Sequence, residues 1–263
     1  MELTLYQIDA FTSDVFRGNP AAVVPLESWL DDNTLQAIAN ENNLSETSYI
    51  VPRKTGYEIR WFTPLSEIEL CGHATLASAY VVLSYLKTNK ESVMFESRFS
   101  GSINVTKIGE LYSMNFPRLS FEQCSPSKNL EAGLQTAPNK IYKGVDYLAI
   151  FEKYEQVVAI KPNYAALELL DGRGIIVSSP GPDGSSIDFV SRYFCPKYGV
   201  PEDPVCGSAH CMLTPYWANR LSKLQLTAHQ VSPRGGKLQC ILIGDRVELK
   251  GEAVEYLKGR IKF

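Results

Sequence analysis

The sequence contains two copies of a Cys-Gly-x-Ala string, and this repetition constrains the fold more than any other feature. Cys71–Ala74 and Cys206–Ala209 lie 135 positions apart. Gly101–Glu110 and Gly236–Asp245 align at the same offset and share glycines, apolar positions and acidic residues. Ordered matches in one register indicate an internal duplication. We therefore expect two similar halves.

The length of the chain supports a division into two domains. The chain has 263 residues, whereas one domain has about 100–200. A segment rich in proline and polar residues has the chemistry of a linker. We predict an N-terminal repeat domain over residues 1–124, a linker over 125–142 and a C-terminal repeat domain over 143–263. The end of the chain exceeds the repeat, which leaves a return of the C-terminal tail to the first domain open.

Each half has the pattern of a strand-rich sheet around one apolar helix. Ala74–Leu86 and Ala209–Leu221 are long enough to form buried helices, and each begins two positions after the glycine of a Cys-Gly pair. Alternating or short apolar runs such as Leu3–Phe11 and Glu58–Phe62 predict strands. The predicted fold class is α+β, with two pseudo-symmetric domains.

The two helix starts predict a site for an anion. Gly72 and Gly207 allow a ligand to approach the backbone closely. The first N–H groups of a helix have no partner within the helix and carry partial positive charge. If the two helix starts face each other, they would hold a substrate carboxylate between them. We expect a thiol at such a helix start to have a lowered pKa.

The composition excludes several classes of partner. A net charge of -3 and a pI near 5.7 give no general attraction to nucleic acid. The apolar runs are too short to cross a bilayer and the first residues do not resemble a signal peptide, so we predict a cytoplasmic protein without a membrane partner. The six cysteines contain no CxxC pair and are expected to be free thiols. The three histidines show no zinc-site spacing, so no metal is predicted.

Six motifs in order along the chain carry a family resemblance. They are Gly18–Ala21, Asn43–Thr47, Arg60–Pro64, Glu69–Thr75, Glu202–His210 and Ser232–Gly236. Together they resemble the PhzF-like phenazine-biosynthesis family from end to end. The resemblance implies the diaminopimelate-epimerase-like fold, in which each of two domains is a mostly antiparallel half-barrel around a central helix. It also implies a homodimer and an isomerase that needs no cofactor.

The resemblance further implies three catalytic residues. The family's glutamate after Leu-Ser, which moves a proton between carbon atoms of the substrate, matches Glu46. The histidine after the first glycine matches His73, and the aspartate of the Asp-Pro segment matches Asp203. Spacing alone would make Glu46 a solvated charge near a helix end and Asp203 a turn former. The resemblance therefore carries these assignments.

The predicted substrate-binding residues are Gly72, Gly207, Ser208, Cys71 and Cys206. The phenazine enzymes typically have threonine before the second glycine, whereas this chain has Cys206, with Cys71 at the equivalent place in the first half. Related epimerases and racemases use a cysteine pair at these positions to move a proton. The sequence thus leaves two candidates for proton transfer, the glutamate and the cysteine pair.

The predicted function is that of a cofactor-independent isomerase that moves a carbon-bound proton on a small carboxylated substrate in an interdomain cleft. One alternative is a two-cysteine amino-acid racemase or epimerase. The other is a carboxylate-binding member of the family without catalytic activity. Arg60, Arg192 and Arg234 are additional candidates for carboxylate recognition, although arginines on strands commonly form salt bridges.

Overall fold

Two units can be distinguished in the computed structural model, which describes residues 1–263. Unit 1 consists of Met1–Asn115 and Lys250–Phe263, and unit 2 consists of Phe116–Leu249. The C-terminal residues therefore belong with the N-terminal ones. None of the helices combines the length and the apolar character that a membrane-crossing helix requires.

The structure contains eighteen strands and six α-helices. The strands are β1 Glu2–Ala10, β2 Asn19–Pro25, β3 Glu46–Pro52, β4 Tyr57–Phe62, β5 Glu67–Ile68, β6 Ser92–Ser97, β7 Gly101–Ile108, β8 Leu111–Pro117, β9 Glu122–Gln123, β10 Lys140–Lys143, β11 Tyr147–Ile150, β12 Ile175–Pro180, β13 Phe189–Cys195, β14 Val200–Asp203, β15 Gln225–Gln230, β16 Gly236–Ile243, β17 Arg246–Gly251 and β18 Ala253–Lys262. The helices are α1 Asp32–Asn42, α2 Gly72–Val81, α3 Lys128–Leu134, α4 Tyr154–Ala159, α5 Tyr164–Glu168 and α6 Gly207–Leu221.

Unit 1 wraps a mostly antiparallel sheet around α2. Strand β1 is antiparallel to both β2 and β18, β2 runs parallel to β3, and β3 to β5 are antiparallel neighbours. Strand β6 is parallel to β4 and antiparallel to β7. Helix α2 packs against β1, β2 and β3. Its side chains are buried in almost every direction, as expected for a helix enclosed by its own sheet.

Unit 2 repeats this strand order. Strand β11 is parallel to β12, and β12 to β14 are antiparallel neighbours. Strand β15 is parallel to β13 and antiparallel to β16. Helix α6 packs against β15 and β16 and is buried over most of its surface. The order parallel, antiparallel, antiparallel, parallel, antiparallel is therefore common to both units.

A repeated ion pair marks equivalent positions in the two units. Arg60 Nε lies 2.8 Å from Glu67 Oε1, and Arg192 Nε lies 2.8 Å from Glu202 Oε1. A second nitrogen of each guanidinium reaches the other carboxylate oxygen at 2.7 and 2.9 Å. Each guanidinium also lies over a phenylalanine ring of its own strand, at 5.0 and 4.8 Å from the centroid. Because carboxylates of the chain occupy these forks, we assign both arginines to the fold instead of to substrate recognition.

The segment predicted to be a linker, residues 125–142, lies inside unit 2. It includes α3, where the Ser127 side chain accepts a hydrogen bond from the backbone N–H of Leu130. Leu130, Leu134 and Ile141 are buried in the apolar cluster of unit 2. The prolines and serines of this segment therefore mark turns around a packed helix, and the boundary between units falls earlier, after Asn115.

The C-terminal strand β18 pairs with β1 over its full length, from Glu2 opposite Lys262 to Ala10 opposite Ala253. At the end of β1, the backbone N–H of Phe11 donates to the Glu252 carbonyl at 2.8 Å. Phe11 is completely buried with a positive φ of 64°. Where the chain returns to β1, it is therefore hydrogen-bonded to Phe11, a buried residue with a strained backbone conformation.

We predict that Gly251→Ala lowers the free energy of unfolding by about 1–3 kcal/mol. A Cβ atom at Gly251 would lie 2.3 Å from Cδ1 of Phe11, and the buried ring has no free space into which to move. Urea unfolding of the purified variant measures the change. Gly259→Ala is the matched control, because a Cβ atom at Gly259 would have Leu257 Cδ2 as its nearest neighbour, at 3.5 Å. Equal midpoints for the two variants would contradict the predicted clash.

Candidate functional site

Glu46 is positioned by the turn between α1 and β3. Helix α1 ends at Asn42, and Asn43 adopts a left-handed conformation with φ of 48° that turns the chain into β3. The Asn42 side chain donates to Thr47 Oγ1 at 3.0 Å and fixes this turn. Glu46 is the first residue of β3, and its side chain is 15% exposed.

The structure brings two predicted catalytic residues of unit 1 together. Glu46 Oε2 lies 3.0 Å from Nε2 of His73, the second residue of α2. The opposite ring nitrogen, Nδ1, lies 3.4 Å from Cys71 Sγ and 3.1 Å from the side-chain nitrogen of Asn19. Asn19 is completely buried at the start of β2. The side chains of Glu46, His73 and Cys71 thus form a row with the imidazole at its centre.

Sequence reasoning assigned no role to Asn19. It lies in the motif Gly18–Ala21, which has the composition of a turn. The one signal was the position of Asn19 within a motif of the resembled family. Asn19 and His73 are 54 positions apart in the sequence, so local sequence patterns do not reveal their contact.

The row is electrostatically coupled. Burial opposes the positive charge on His73, but the neighbouring Cys71 and Glu46 outweigh it and raise the pKa of His73 well above its usual range. Burial raises the pKa of the Cys71 thiol, and the charge of Glu46 raises it further. The expected lowering of the Cys71 pKa by the helix start is therefore wrong. The arrangement favours a protonated His73 between two acidic neighbours, the Glu46 carboxyl and the Cys71 thiol.

The same three side chains are able to hold a metal ion, although no metal was predicted from the sequence. Their donor atoms lie within 4.8 Å of one another. The prediction that no metal is bound considered only ligands that are close together in the sequence. Glu46 is too far from Cys71 and His73 along the chain to belong to such a set. The thiol contacts Nδ1 whereas the carboxylate contacts Nε2. A single ion bound to one imidazole nitrogen would therefore require one neighbour to move.

The helix start of unit 2 carries the second set of predicted residues. Cys206 is the N-cap of α6, and its Sγ accepts from the Ala209 N–H at 3.4 Å. Ser208 Oγ lies 3.3 Å from the same sulfur. Gly207 is the first residue of the helix, as Gly72 is in α2. Burial, reinforced by Asp203, raises the pKa of Cys206 well above its usual range, which favours the neutral thiol at this position.

Asp203 is the last residue of β14 and is half-buried. Gln230, which is completely buried, clamps the loop between Asp203 and Cys206. Its amide nitrogen donates to the Asp203 carbonyl at 2.6 Å, and its amide oxygen accepts from the Cys206 N–H at 3.0 Å. Ser232 adds a hydrogen bond to the Pro204 carbonyl at 2.7 Å. Gln230 was not predicted, since only its contacts across the sheet reveal it, and Ser232 was noted only as part of the motif Ser232–Gly236.

Unit 2 also contains a buried ionic network that sequence reasoning missed. Asp146 is completely buried, and its Oδ2 accepts from Arg173 Nη2 at 2.5 Å. Its Oδ1 accepts from the Tyr193 hydroxyl at 2.9 Å. Arg173 Nη2 also lies 3.5 Å from Ser208 Oγ. A charged cluster therefore extends from the interior of unit 2 to the start of α6.

His210 belongs to the interior and not to the candidate site. It is completely buried, and its Nδ1 lies 2.7 Å from the Cys206 carbonyl oxygen. Burial lowers its pKa to about 4. A neutral imidazole that donates to this carbonyl accounts for the contact.

Comparisons with known proteins place the chain in a family. Residues 8–259 match the family described as phenazine biosynthesis-like protein, PhzC-PhzF. A Pseudomonas aeruginosa protein named as an uncharacterized isomerase is 45% identical over 99% of both chains. A crystal structure of a PhzF-family protein from Enterococcus faecalis has a TM-score of 0.95, with 45% identity over 100% of both chains.

A more distant structure shares only the fold. A hydroxyproline epimerase from Agrobacterium vitis has a TM-score of 0.64 at 10% identity, and the match covers 99% of this chain and 92% of that one. The predicted α+β fold class is confirmed, and the names of the closer relatives support the predicted isomerase class. The chain belongs to the PhzF-like phenazine-biosynthesis family.

The coupling of His73 to Glu46 predicts an effect on its protonation. In Glu46→Gln, burial of the imidazole is no longer opposed by this carboxylate, so the pKa of His73 falls relative to the wild type. Nitrogen-detected NMR of the imidazole during a pH titration measures the change. His210 is the internal control, since its pKa of about 4 does not depend on Glu46. An unchanged His73 titration in the variant would show that the pair is not coupled.

The same coupling predicts the pH dependence of stability. Folded His73 holds its proton more tightly than it does in the unfolded chain, where its pKa is near 6.5. Its contribution to the free energy of unfolding is therefore complete below about pH 6.5 and declines as the pH rises through the higher pKa of the folded state. Urea unfolding across this range is expected to show a weaker decline in Glu46→Gln.

Proposed function

We propose that this protein is a cofactor-independent isomerase that moves a carbon-bound proton on a small carboxylated substrate, with Glu46 as the proton carrier. The observation that carries the proposal is the buried carboxylate–imidazole pair, in which Glu46 Oε2 lies 3.0 Å from His73 Nε2. A carboxylate beside a protonated imidazole is stabilised by the opposite charge.

The geometry suggests how the proton moves. Oε2 is buried against His73, so Oε1 is the oxygen that a substrate would meet. Glu46 accepts the proton as the substrate C–H bond breaks, and the electron pair delocalises into the conjugated system of the substrate. Glu46 then gives the proton to a different carbon, where a new C–H bond forms. No oxidation or reduction takes place, and Glu46 returns to its starting state.

The helix starts supply the complementary charge. Backbone N–H groups at Gly72 and Gly207 have no partner within their helices, and they would stabilise the substrate carboxylate and the negative charge that develops on proton removal. We assign Ser208 to substrate binding and Asp203 to acid/base catalysis or to the orientation of the substrate. If these residues serve the same reaction as Glu46, Asp203→Asn and Ser208→Ala will also slow it.

Exchange of carbon-bound hydrogen tests the proposal directly. The protein is incubated in heavy water with a panel of amino acids and dihydroaromatic acids, and deuterium on carbon is detected by mass spectrometry. We expect Glu46→Gln to slow exchange by about 10²- to 10⁴-fold, because the amide cannot accept the proton. Glu41→Gln, an exposed position on α1, is the control. Full exchange in the Glu46→Gln variant would exclude Glu46 as the proton carrier.

A second candidate function is an amino-acid racemase or epimerase that uses Cys71 and Cys206. It is favoured by their equivalent places, since both are buried N-cap residues directly before a helix-starting glycine. The raised pKa of each thiol opposes this function, because a two-base mechanism needs one thiolate.

Single cysteine variants separate the two mechanisms. We expect Cys71→Ser and Cys206→Ser to retain hydrogen exchange within about tenfold, since hydroxyls preserve the polar contacts of the neutral thiols. Cys124→Ser, outside both helix starts, is the control. Loss of exchange in both single variants, with full activity in Glu46→Gln, would establish the cysteine mechanism instead. Carboxylate binding without any exchange would indicate the non-catalytic alternative.

A further inference from the structure

Strand pairing shows which positions of the two units are equivalent. Tyr49 of β3 lies opposite Arg60 of β4, and Val177 of β12 lies opposite Arg192 of β13. The two arginines form the equivalent bidentate ion pairs described above. Tyr49 and Val177, which lie opposite them, therefore occupy the same place in the repeat. Strands β3 and β12 are therefore equivalent, residue by residue.

This equivalence extends to the start of each strand. Three residues before the matched pair lie Glu46 in unit 1 and Gly174 in unit 2, and Arg173 immediately precedes Gly174. On the helices, His73 and Ser208 are both the second residue. Unit 1 thus has an acid that contacts the second helical residue, and unit 2 has an arginine that contacts the equivalent residue at 3.5 Å. The duplicated site has acquired opposite charges in its two copies.

The surroundings of Arg173 differ from those of the arginines that stabilise the fold. The side chains of Arg60 and Arg192 are each 10% exposed, and two oxygens of one carboxylate occupy each fork. Arg173 is 39% exposed even though its partner Asp146 has no exposed surface. Asp146 therefore does not enclose the guanidinium, and part of the Arg173 side chain stays accessible to a ligand.

Arg173 also retains unused hydrogen-bond donors. Asp146 and Ser208 contact Nη2, and Nε is buried with no hydrogen-bond partner, so Nη1 is the donor that remains for a ligand. Asp146 is in turn held by the Tyr193 hydroxyl. The network fixes the orientation of the guanidinium while part of it remains accessible. A planar group with free N–H donors in a fixed direction is suited to a carboxylate.

We propose that Arg173 and Ser208 form a binding site for the carboxylate of an organic acid, with Asp146 and Tyr193 as positioning residues. In the context of the proposed function, on which this part of the inference rests, that carboxylate is the one carried by the isomerase substrate. The site is specific for the anionic group, whereas the acid/base chemistry belongs to the Glu46 row of unit 1.

Carboxylate binding is measured with probes that do not require turnover. Protein labelled with ¹⁵N is titrated with formate, acetate and benzoate, and separately with formamide, acetamide and benzamide. The side-chain Nε–H signal of Arg173, assigned by its loss in Arg173→Lys, is expected to shift saturably with a carboxylate and not with the matching amide. Arg220 is the internal control, because it lies outside this network and its Nη2 donates to Glu152 Oε2 at 3.0 Å. If no carboxylate shifts the Arg173 signal more than its amide does, the inference is wrong.

Substitution separates binding from a purely structural role. Backbone signals of Gly207 and Ser208 report affinity when Arg173 is absent. We expect Arg173→Gln to weaken carboxylate binding about tenfold or more, the usual effect of removing a charged hydrogen-bond donor. Because this variant leaves Asp146 without its cation, Arg173→Gln with Asp146→Asn keeps the interior neutral and is expected to show the same loss. Arg220→Gln is the matched control. Unchanged affinity in the folded double variant would assign Arg173 to stability alone.

Failure of this inference is distinguishable from failure of the proposed function. Glu46→Gln is expected to retain carboxylate binding while it loses hydrogen exchange. Binding at Arg173 without exchange in the wild type would remove the isomerase proposal and leave the carboxylate site. For a substrate found by exchange, Arg173→Gln is expected to raise KM more than it lowers kcat. Exchange with an unchanged KM would overturn the link between Arg173 and the substrate.

Discussion

A helix enclosed by its own sheet can offer polar groups only at its ends. Helices α2 and α6 are buried over most of their surfaces, and their first N–H groups have no partners within the helix. The ionisable groups of the candidate sites lie beside these ends, namely Glu46 and His73 in unit 1 and Arg173 in unit 2. The fold therefore determines where chemistry is possible before any side chain is considered.

Duplication supplied two such helix ends, and later substitution made them different. The repeated arginine–glutamate pairs preserve the strand register in both units. With the scaffold held constant, the two copies differ near the strand start, where unit 1 has Glu46 and unit 2 has Gly174 preceded by Arg173, and the charge beside the helix differs accordingly. In our proposals, Glu46 accepts a proton in one copy and Arg173 holds an anion in the other. An isomerase of carboxylated molecules needs both abilities.

Much of the fold could be predicted from the sequence, whereas the details of the site depended on resemblance and long-range contacts. The repeat and the two apolar helices predict the two-unit α+β fold because periodic burial leaves a local pattern. Glu46 and His73 are 27 positions apart, and only the family motifs connected them. Arg173 has no periodic signal, and its partner Asp146 is equally distant. The prolines and serines in residues 125–142 led to the prediction of a linker, because linkers and the turns around a packed helix have the same composition. The homodimer and the cytoplasmic location remain predictions.

The two cysteines show why position alone does not determine reactivity. A helix start favours a thiolate by about 0.3–1 kcal/mol, which is less than one pKa unit. Full burial can raise a thiol pKa by several units, and each sulfur also has an acid nearby, Glu46 for Cys71 and Asp203 for Cys206. The larger effects act together, so the pKa of each thiol is raised. This comparison is why we propose Glu46 for proton transfer, since it has an imidazole partner and lies at the edge of its buried row.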